Sequence, residues 1–375
     1  MLDHEYMSSI GIVTPTVNET SYLFLSDFVK ILSPIFSCVY VIAGNVNPDD
    51  YDNKGTKVYS LKHQTSGNPL IRILNYIYLQ AWIAYTLAAL RNEVDLWIFY
   101  LGGEVLILPM IIAKILNKKV LLVLGGFTKK EGQIFKDPLY VPLNFLEIIN
   151  FSLADKILVY SKNVISDWGL DKYKSKTLVA PRHFIDFSQF YVETPLMRRE
   201  FIGFIGRFSI EKGILNFVNS MPKVLETKKN VKFFLGGNGP LRDDVLRCIN
   251  NLSLENNINY VGWIYRDEIS KYLNKLKLIV IPSYTEGLPN IMLEAMACGT
   301  PVLATPVGAI SSIIKDEETG FILENNTPEC IAKNIIRVLE HPKLEKITEN
   351  ARVLVETDFT YEAAIKKYSF IFRKV

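Results

Sequence analysis

Cysteine is scarce: the 375 residues hold four, Cys38, Cys248, Cys298 and Cys330. None forms a Cys-x-x-Cys pair or has a histidine at metal-ligand spacing, which argues against a zinc ribbon or disulfide scaffold and suits buried thiols of a reducing compartment. No Gly-x-Gly-x-x-Gly follows the first strand-like run, which ends instead in "TPTVNET", so a dinucleotide-dependent dehydrogenase loses its main support; Walker-type spacing is missing as well. Charge of one sign is also lacking. A net charge of +3 is too small to imply a nucleic-acid partner. The local clusters Lys118/Lys119/Lys129/Lys130 and Lys172/Lys174/Lys176 read as solvated faces. The opening "MLDHEYMSSIGIVTPT" has acidic residues where a basic n-region would stand, so no secretory leader is expected. The longest apolar run, "LWIFYLGGEVLILPMIIA" at 96–113, is broken by Gly102, Gly103, Glu104 and Pro109. A strand, a turn and a helix fit it better than a membrane span.

What is present is a globular composition, 49% apolar and 22% charged, on a chain long enough for two domains. Short apolar runs rich in branched residues alternate with helical patterns. The first half has "SSIGIVTP", "CVYVIAG", "DLWIFYLG", "KVLLVLGG", "KILVYS" and "KTLVAP". The second has "REFIGFIGR", "VKFFLGG", "INYVGW", "KLIVIPS", "PVLATP" and "GFIL". Runs apolar at successive positions belong to strands covered on both faces, so each half is predicted to be a doubly wound α/β unit with a parallel sheet. The boundary is expected near 182–200, and the default ligand site is the cleft between the units.

The stretch "EGLPNIMLE", 286–294, raises a question of geometry. On one unbroken helix Glu286 and Glu294 would lie roughly 12 Å apart along the axis and about 80° apart around it, too far to share a substrate atom. The alternative keeps Glu286 in a loop held by Gly287 and Pro289. A helix then runs from Asn290 to Ala297, with Pro289 at or near N1 and Gly299 at C′. A helix N-terminus between the two glutamates would attract a phosphate. An ordinary loop-to-helix transition with surface carboxylates is the competing reading.

Upstream, "FIGFIGRFSIEKGI" places Arg207 and Lys212 just past a strand's carboxyl end, where two cations could neutralise a diphosphate. A surface arginine and a local Glu211/Lys212 pair would explain the same residues. "FFLGGNGP" ends a strand in Gly237 and Gly239, which allow close backbone approach. "DDYDN", at 49–53, contains an Asp-x-Asp that turn formation explains more simply than a metal site.

Taken in order, "GRFSIEKG", "GGNGP", "VGWI" and "PSYTEGLPNIMLEAMACGTPVLATPVGAI" resemble the retaining glycosyltransferases of family four, which have the GT-B fold. The resemblance is specific over about 199–357 and diffuse before that. It implies an acceptor-binding Rossmann-like domain over 1–190 and a nucleotide-sugar donor domain over 196–357. It also implies a last helix within 358–375, "YEAAIKKYSFIFRKV", that returns to the first domain. Carried over residue by residue, it makes Arg207 and Lys212 the diphosphate clamp, sets Glu286 beside the donor sugar and makes Glu294 the acceptor of the ribose hydroxyls. The segment Gly287, Leu288, Pro289 and Asn290 would meet the sugar and distal phosphate through backbone amides, proline having none to give. Ile264 would pass the base, and Gly237 and Gly239 would line the donor. The implied reaction is hexosyl transfer from a UDP-, GDP- or ADP-sugar to a glycan or lipid-linked acceptor, with no metal and no other cofactor. A nucleotide-sugar epimerase of related fold and a non-catalytic nucleotide-sugar-binding module are the alternatives.

The first half departs from that family's pattern. "TPTVNET" and "LVLGGF" stand where many relatives have a glycine pair and a histidine, and His183 lies in the linker, so no acceptor-side base is assigned. "PLIRILNYIYLQAWIAYTLAALR", 69–91, is aromatic-rich with few charges. It suits packing against a sheet or a peripheral membrane surface. A cytoplasmic location is expected, with a position at the inner face of the cell membrane as its variant.

Overall fold

A computed structural model describes residues 9–17, 19–51, 55–62, 68–124, 140–180 and 183–375. They divide into two compact units, residues 1–182 with 364–375, and residues 183–363. The family resemblance implies a first domain that ends at 190, and the pattern a boundary within 182–200. The stretch from 183 packs with the second unit, because its backbone is bonded there. The Ile185 N–H donates to Phe359 O at 2.8 Å, Gln189 Nε2 to Arg266 O at 2.9 Å, and the Glu193 N–H to Asn274 Oδ1 at 2.8 Å.

The first unit holds β1 (Ile10–Thr16), β2 (Val39–Gly44), β3 (Thr56–Leu61), β4 (Leu96–Tyr100), β5 (Lys119–Val123), β6 (Lys156–Val159) and β7 (Thr177–Val179). They form one sheet in the order β3-β2-β1-β4-β5-β6-β7, and every pair is parallel. All six residues of β2 are buried, which is why such strands read as unbroken apolar runs. β3 escapes that reading. It is an edge strand with Lys57 exposed and its other positions only half-buried, and its polar residues are the ordinary dress of an edge.

The second unit holds β8 (Phe201–Ile205), β9 (Lys232–Gly236), β10 (Ile258–Gly262), β11 (Leu276–Ile281), β12 (Val302–Ala304) and β13 (Phe321–Ile322). Their order is β10-β9-β8-β11-β12-β13, again all parallel. Its core sets Phe204, Phe217, Phe233 and Leu278 against Ile331, Ile335 and Val338. The last three lie on one stripe of the amphipathic helix Pro328–Leu339. The helix Tyr361–Phe372 rejoins the first unit from Ala364 onward. Its Tyr368 ring lies 5.3 Å from Phe28 and its Phe372 ring 4.9 Å from Phe36.

Candidate functional site

In the second sheet the chain leaves β8 toward β9 and β10 on one side, and β11 leads to β12 and β13 on the other. Strand order therefore reverses between β8 and β11, and ligands of doubly wound sheets bind outside the carboxyl ends of strands at such a point. Two loops emerge there, 206–213 after β8 and 282–289 after β11, and they are tied to one another. The Tyr284 N–H donates to Glu211 O at 2.8 Å. Gly213 sits at φ +68°, where an added Cβ would lie 2.1 Å from Pro282 O. Only glycine allows both that backbone and that approach.

The first loop carries both sequence-predicted cations. Arg207 is exposed, between two backbone bonds that hold its loop to the end of β9 and the loop that follows: Gly206 N–H to Gly236 O at 3.0 Å and Phe208 N–H to Asn238 O at 2.9 Å. Gly237 makes this juxtaposition feasible, because a Cβ on it would fall 1.9 Å from Gly206 O. At Gly239 the same test gives 2.5 Å to Phe208 O. Lys212 ends the 3-10 turn Ile210–Lys212, and its Nζ donates to Glu286 Oε1 at 2.7 Å. Ser283 Oγ donates to the same oxygen at 2.8 Å. A local Glu211/Lys212 pair does not form: Glu211 is buried and accepts from Ser209 Oγ at 2.5 Å. The lysine has been drawn across 74 residues of sequence to the second loop.

The helix expected within the glutamate-bearing stretch runs Asn290–Ala297, with Glu286 outside it and Glu294 on its second turn. Pro289 is its N-cap and not its first helical residue: ψ of 121° takes it out of the helical region, and the Met292 N–H donates to its carbonyl at 3.2 Å. The N-terminal amides, beginning with Asn290, have no partner within the helix and carry the positive end of its dipole. Gly287 O accepts from the Ala309 N–H at 2.8 Å, and Leu288 is buried, so the turn is held from behind. At the other end Gly299, φ +61°, closes the helix. Its N–H reaches Met296 O and that of Thr300 reaches Ala295 O at 2.8 Å, the two bonds of a Schellman cap.

Two arginines that hold this helix escape the sequence reading. Glu294, 2% exposed, accepts from Arg266 Nη1 at 2.9 Å, and the Arg266 guanidinium lies 5.8 Å from the Phe190 ring centroid. Arg266 belongs to the turn after β10 that also carries Ile264, which is buried between exposed Trp263 and Tyr265. Arg199, 4% exposed, donates to Gly299 O at 2.9 Å and Cys298 O at 2.8 Å. It thereby satisfies carbonyls that the helix leaves open, at the negative end of the dipole. Burial pulls its pKa down to about 10. No spacing rule links these arginines to the helix, since they lie 28 and about 100 residues away in sequence.

The arrangement has a basic, amide-rich centre and a buried, arginine-held carboxylate one helical turn beyond. Such a site can bind an anion and a polyol together. Among the described residues no group of three or more His, Cys, Asp and Glu could hold a metal ion. Asp49 and Asp50 bond locally to Asn47 in a turn; Asp52, Lys129, Lys130 and the Gly-Gly-Phe of "LVLGGF" lie outside the described residues.

The pair of Rossmann-like units is the GT-B fold. Sucrose-phosphate synthase from Thermosynechococcus elongatus superposes with a TM-score of 0.76 at 18% identity, covering 98% of this chain and 99% of that one. Anabaena HepE, solved in complex with UDP, gives 0.76 at 17%, covering 98% and 100%. Residues 189–353, which lie within the second unit, match the family described as glycosyl transferases group 1. An uncharacterized glycosyltransferase from Methanocaldococcus jannaschii is 33% identical over 165 residues, 44% of this chain and 42% of the relative. The chain thus matches less than half the length of that relative.

Proposed function

We propose that the protein is a retaining, metal-independent glycosyltransferase that moves a hexose-type sugar from a nucleotide-sugar donor to a glycan or lipid-linked acceptor. One observation carries the reading. Lys212, Glu286 and the N-terminus of the helix Asn290–Ala297 converge at the point where strand order reverses. A nucleotide sugar is doubly negative in the middle and rich in hydroxyls at its ends. Arg207, Lys212 and the helix amides suit the diphosphate, Glu286 the transferred sugar and Glu294 the ribose. The UDP in the structure of HepE supports a uridine donor as the first to try.

As the glycosidic C–O bond breaks, negative charge grows on the distal phosphate. Lys212, held on Glu286, and the amides of the Asn290 turn are fixed in advance beside that charge and Arg207 is within its loop, so the charge is stabilised with little reorganisation, and such preorganised charge usually lowers the barrier more than any other single effect. The acceptor oxygen attacks the face the leaving group departs from, and its proton leaves with the phosphate. Glu286, held by Lys212 and Ser283, orients the sugar.

The test is a panel of UDP-, GDP- and ADP-sugars, with and without glycan and polyprenyl-phosphate acceptors, in the presence of EDTA. Transfer that survives EDTA and retains anomeric configuration by NMR is expected. A strict requirement for Mg²⁺ or Mn²⁺ would contradict the leaving-group argument. An epimer formed from donor alone, or nucleotide binding with no transfer to any acceptor, would replace the reading.

A further inference from the structure

The helices Pro69–Ala89, Ile107–Ile115 and Tyr140–Leu153 of the first unit pack side by side on the sheet. Tyr76 OH donates to Val105 O at 2.7 Å, the Leu108 N–H to Gln80 Oε1 at 3.0 Å, and Asn150 Nδ2 to Glu104 O at 2.8 Å. The first helix buries Leu79, Ile83 and Leu87 toward the sheet. The opposite stripe is as apolar as the buried one. Leu74, Ile77, Tyr85, Ile115, Phe145 and Ile148 all face solvent on the outer side of this layer, Ile115 being 72% exposed. Scattered exposed apolar residues are normal, but a band across three adjoining helices is not.

Charge says what covers it. The only carboxylate in the three helices is Glu147, and it is buried. Arg72 is exposed near the start of the first helix. The turn Asp171–Lys176 packs on the end of the third helix through Lys176 Nζ to Ser152 O at 2.9 Å. There Lys172 and Lys174 are exposed beside the single carboxylate of Asp171. The asymmetry extends to the whole unit, which has 22 Lys and Arg against 16 Asp and Glu (net +6), while the second has 20 against 23 (net −3).

We infer that this three-helix face docks on the surface of an anionic lipid bilayer, aliphatic side chains entering the interface and lysines meeting the headgroups. A second copy of the chain is the poorer occupant, because a two-fold interface would set two +6 units against each other. Among the described residues no helix is long and apolar enough to cross a membrane, so the contact is with the surface. The inference does not depend on the transfer reaction.

Co-sedimentation of the full chain with vesicles tests it, comparing pure phosphatidylcholine with phosphatidylcholine containing a quarter phosphatidylglycerol. The protein is expected to sediment with the anionic vesicles at low salt and to be released at high salt. The double variant Leu74→Glu/Ile77→Glu should weaken binding about tenfold or more, and Lys172→Glu/Lys174→Glu at least about fivefold per lysine. Both variants lie at exposed positions, and circular dichroism together with nucleotide calorimetry checks that each is folded. Wild-type protein that stays in the supernatant overturns the inference. So does binding indifferent to lipid charge, or a dimer that Leu74→Glu/Ile77→Glu dissociates while vesicle binding persists.

Discussion

Lys212 Nζ lies 2.7 Å from Glu286 Oε1, joining the loops that follow β8 and β11. The carboxylate side chain is only 7% exposed while the lysine is partly open at 29%, so the cation keeps a free side for an anion. Lys212→Ala should cut turnover about 100-fold, by analogy with losing one preorganised charge-stabilising donor, and Arg207→Ala should do the same. Steady-state rates with the donor identified by the panel decide this; two variants of full activity would remove both residues from the site.

Arg266 is expected to position Glu294. Arg266→Met keeps an apolar stem near Phe190 but strips a buried carboxylate of its cation, and should raise the donor KM about tenfold with a smaller change in kcat. The readout that separates positioning from folding is a double-mutant cycle with Glu294→Gln: a coupling energy near zero would mean that the two side chains act independently.

At Gly237 an alanine Cβ would collide with Gly206 O, 1.9 Å away, at a φ of +137° that side chains disfavour. Gly237→Ala should cost about 1–3 kcal/mol and displace the Arg207 loop. Thermal melts and UDP calorimetry should both worsen; an unchanged affinity would uncouple that loop from the donor.

Arg199→Ala leaves the carbonyls of Cys298 and Gly299 without their buried donor and should cost about 3 kcal/mol of stability. Arg199→Lys should recover little, because an ammonium cannot span the fork of acceptors. Denaturant titration of the full chain measures both, and a loss confined to the Ala variant would refute the geometric part.

Cys298, fully buried, has its thiol pushed up to about 11 by that burial. The unfolded thiol ionises first as pH rises, so the native state is stabilised below the ordinary thiol range and loses that contribution as pH climbs toward 11. Unfolding midpoints should therefore fall over that alkaline interval, less steeply in Cys298→Ala. Equal slopes in the two proteins would show that another group titrates.

The alternation of apolar runs and helical patterns makes the doubly wound units legible, because a strand covered on both faces has no choice but to be apolar throughout. The limits of the helix Asn290–Ala297 are legible too, since proline and glycine act on their own backbone. β3 is not, being an edge strand whose polar residues look like a loop.

By itself, the sequence determined whatever depends on neighbours in the chain: two parallel α/β units, the loop-helix-cap at 286–299, and Arg207 and Lys212 beyond a strand's end. Only the tertiary structure decided that Lys212 pairs with Glu286 and not with Glu211, that Arg266 holds Glu294, and that Arg199 closes the helix they share. Those partners lie on different strands' loops, and the order in which strands assemble is set by burying whole surfaces, which no local spacing encodes.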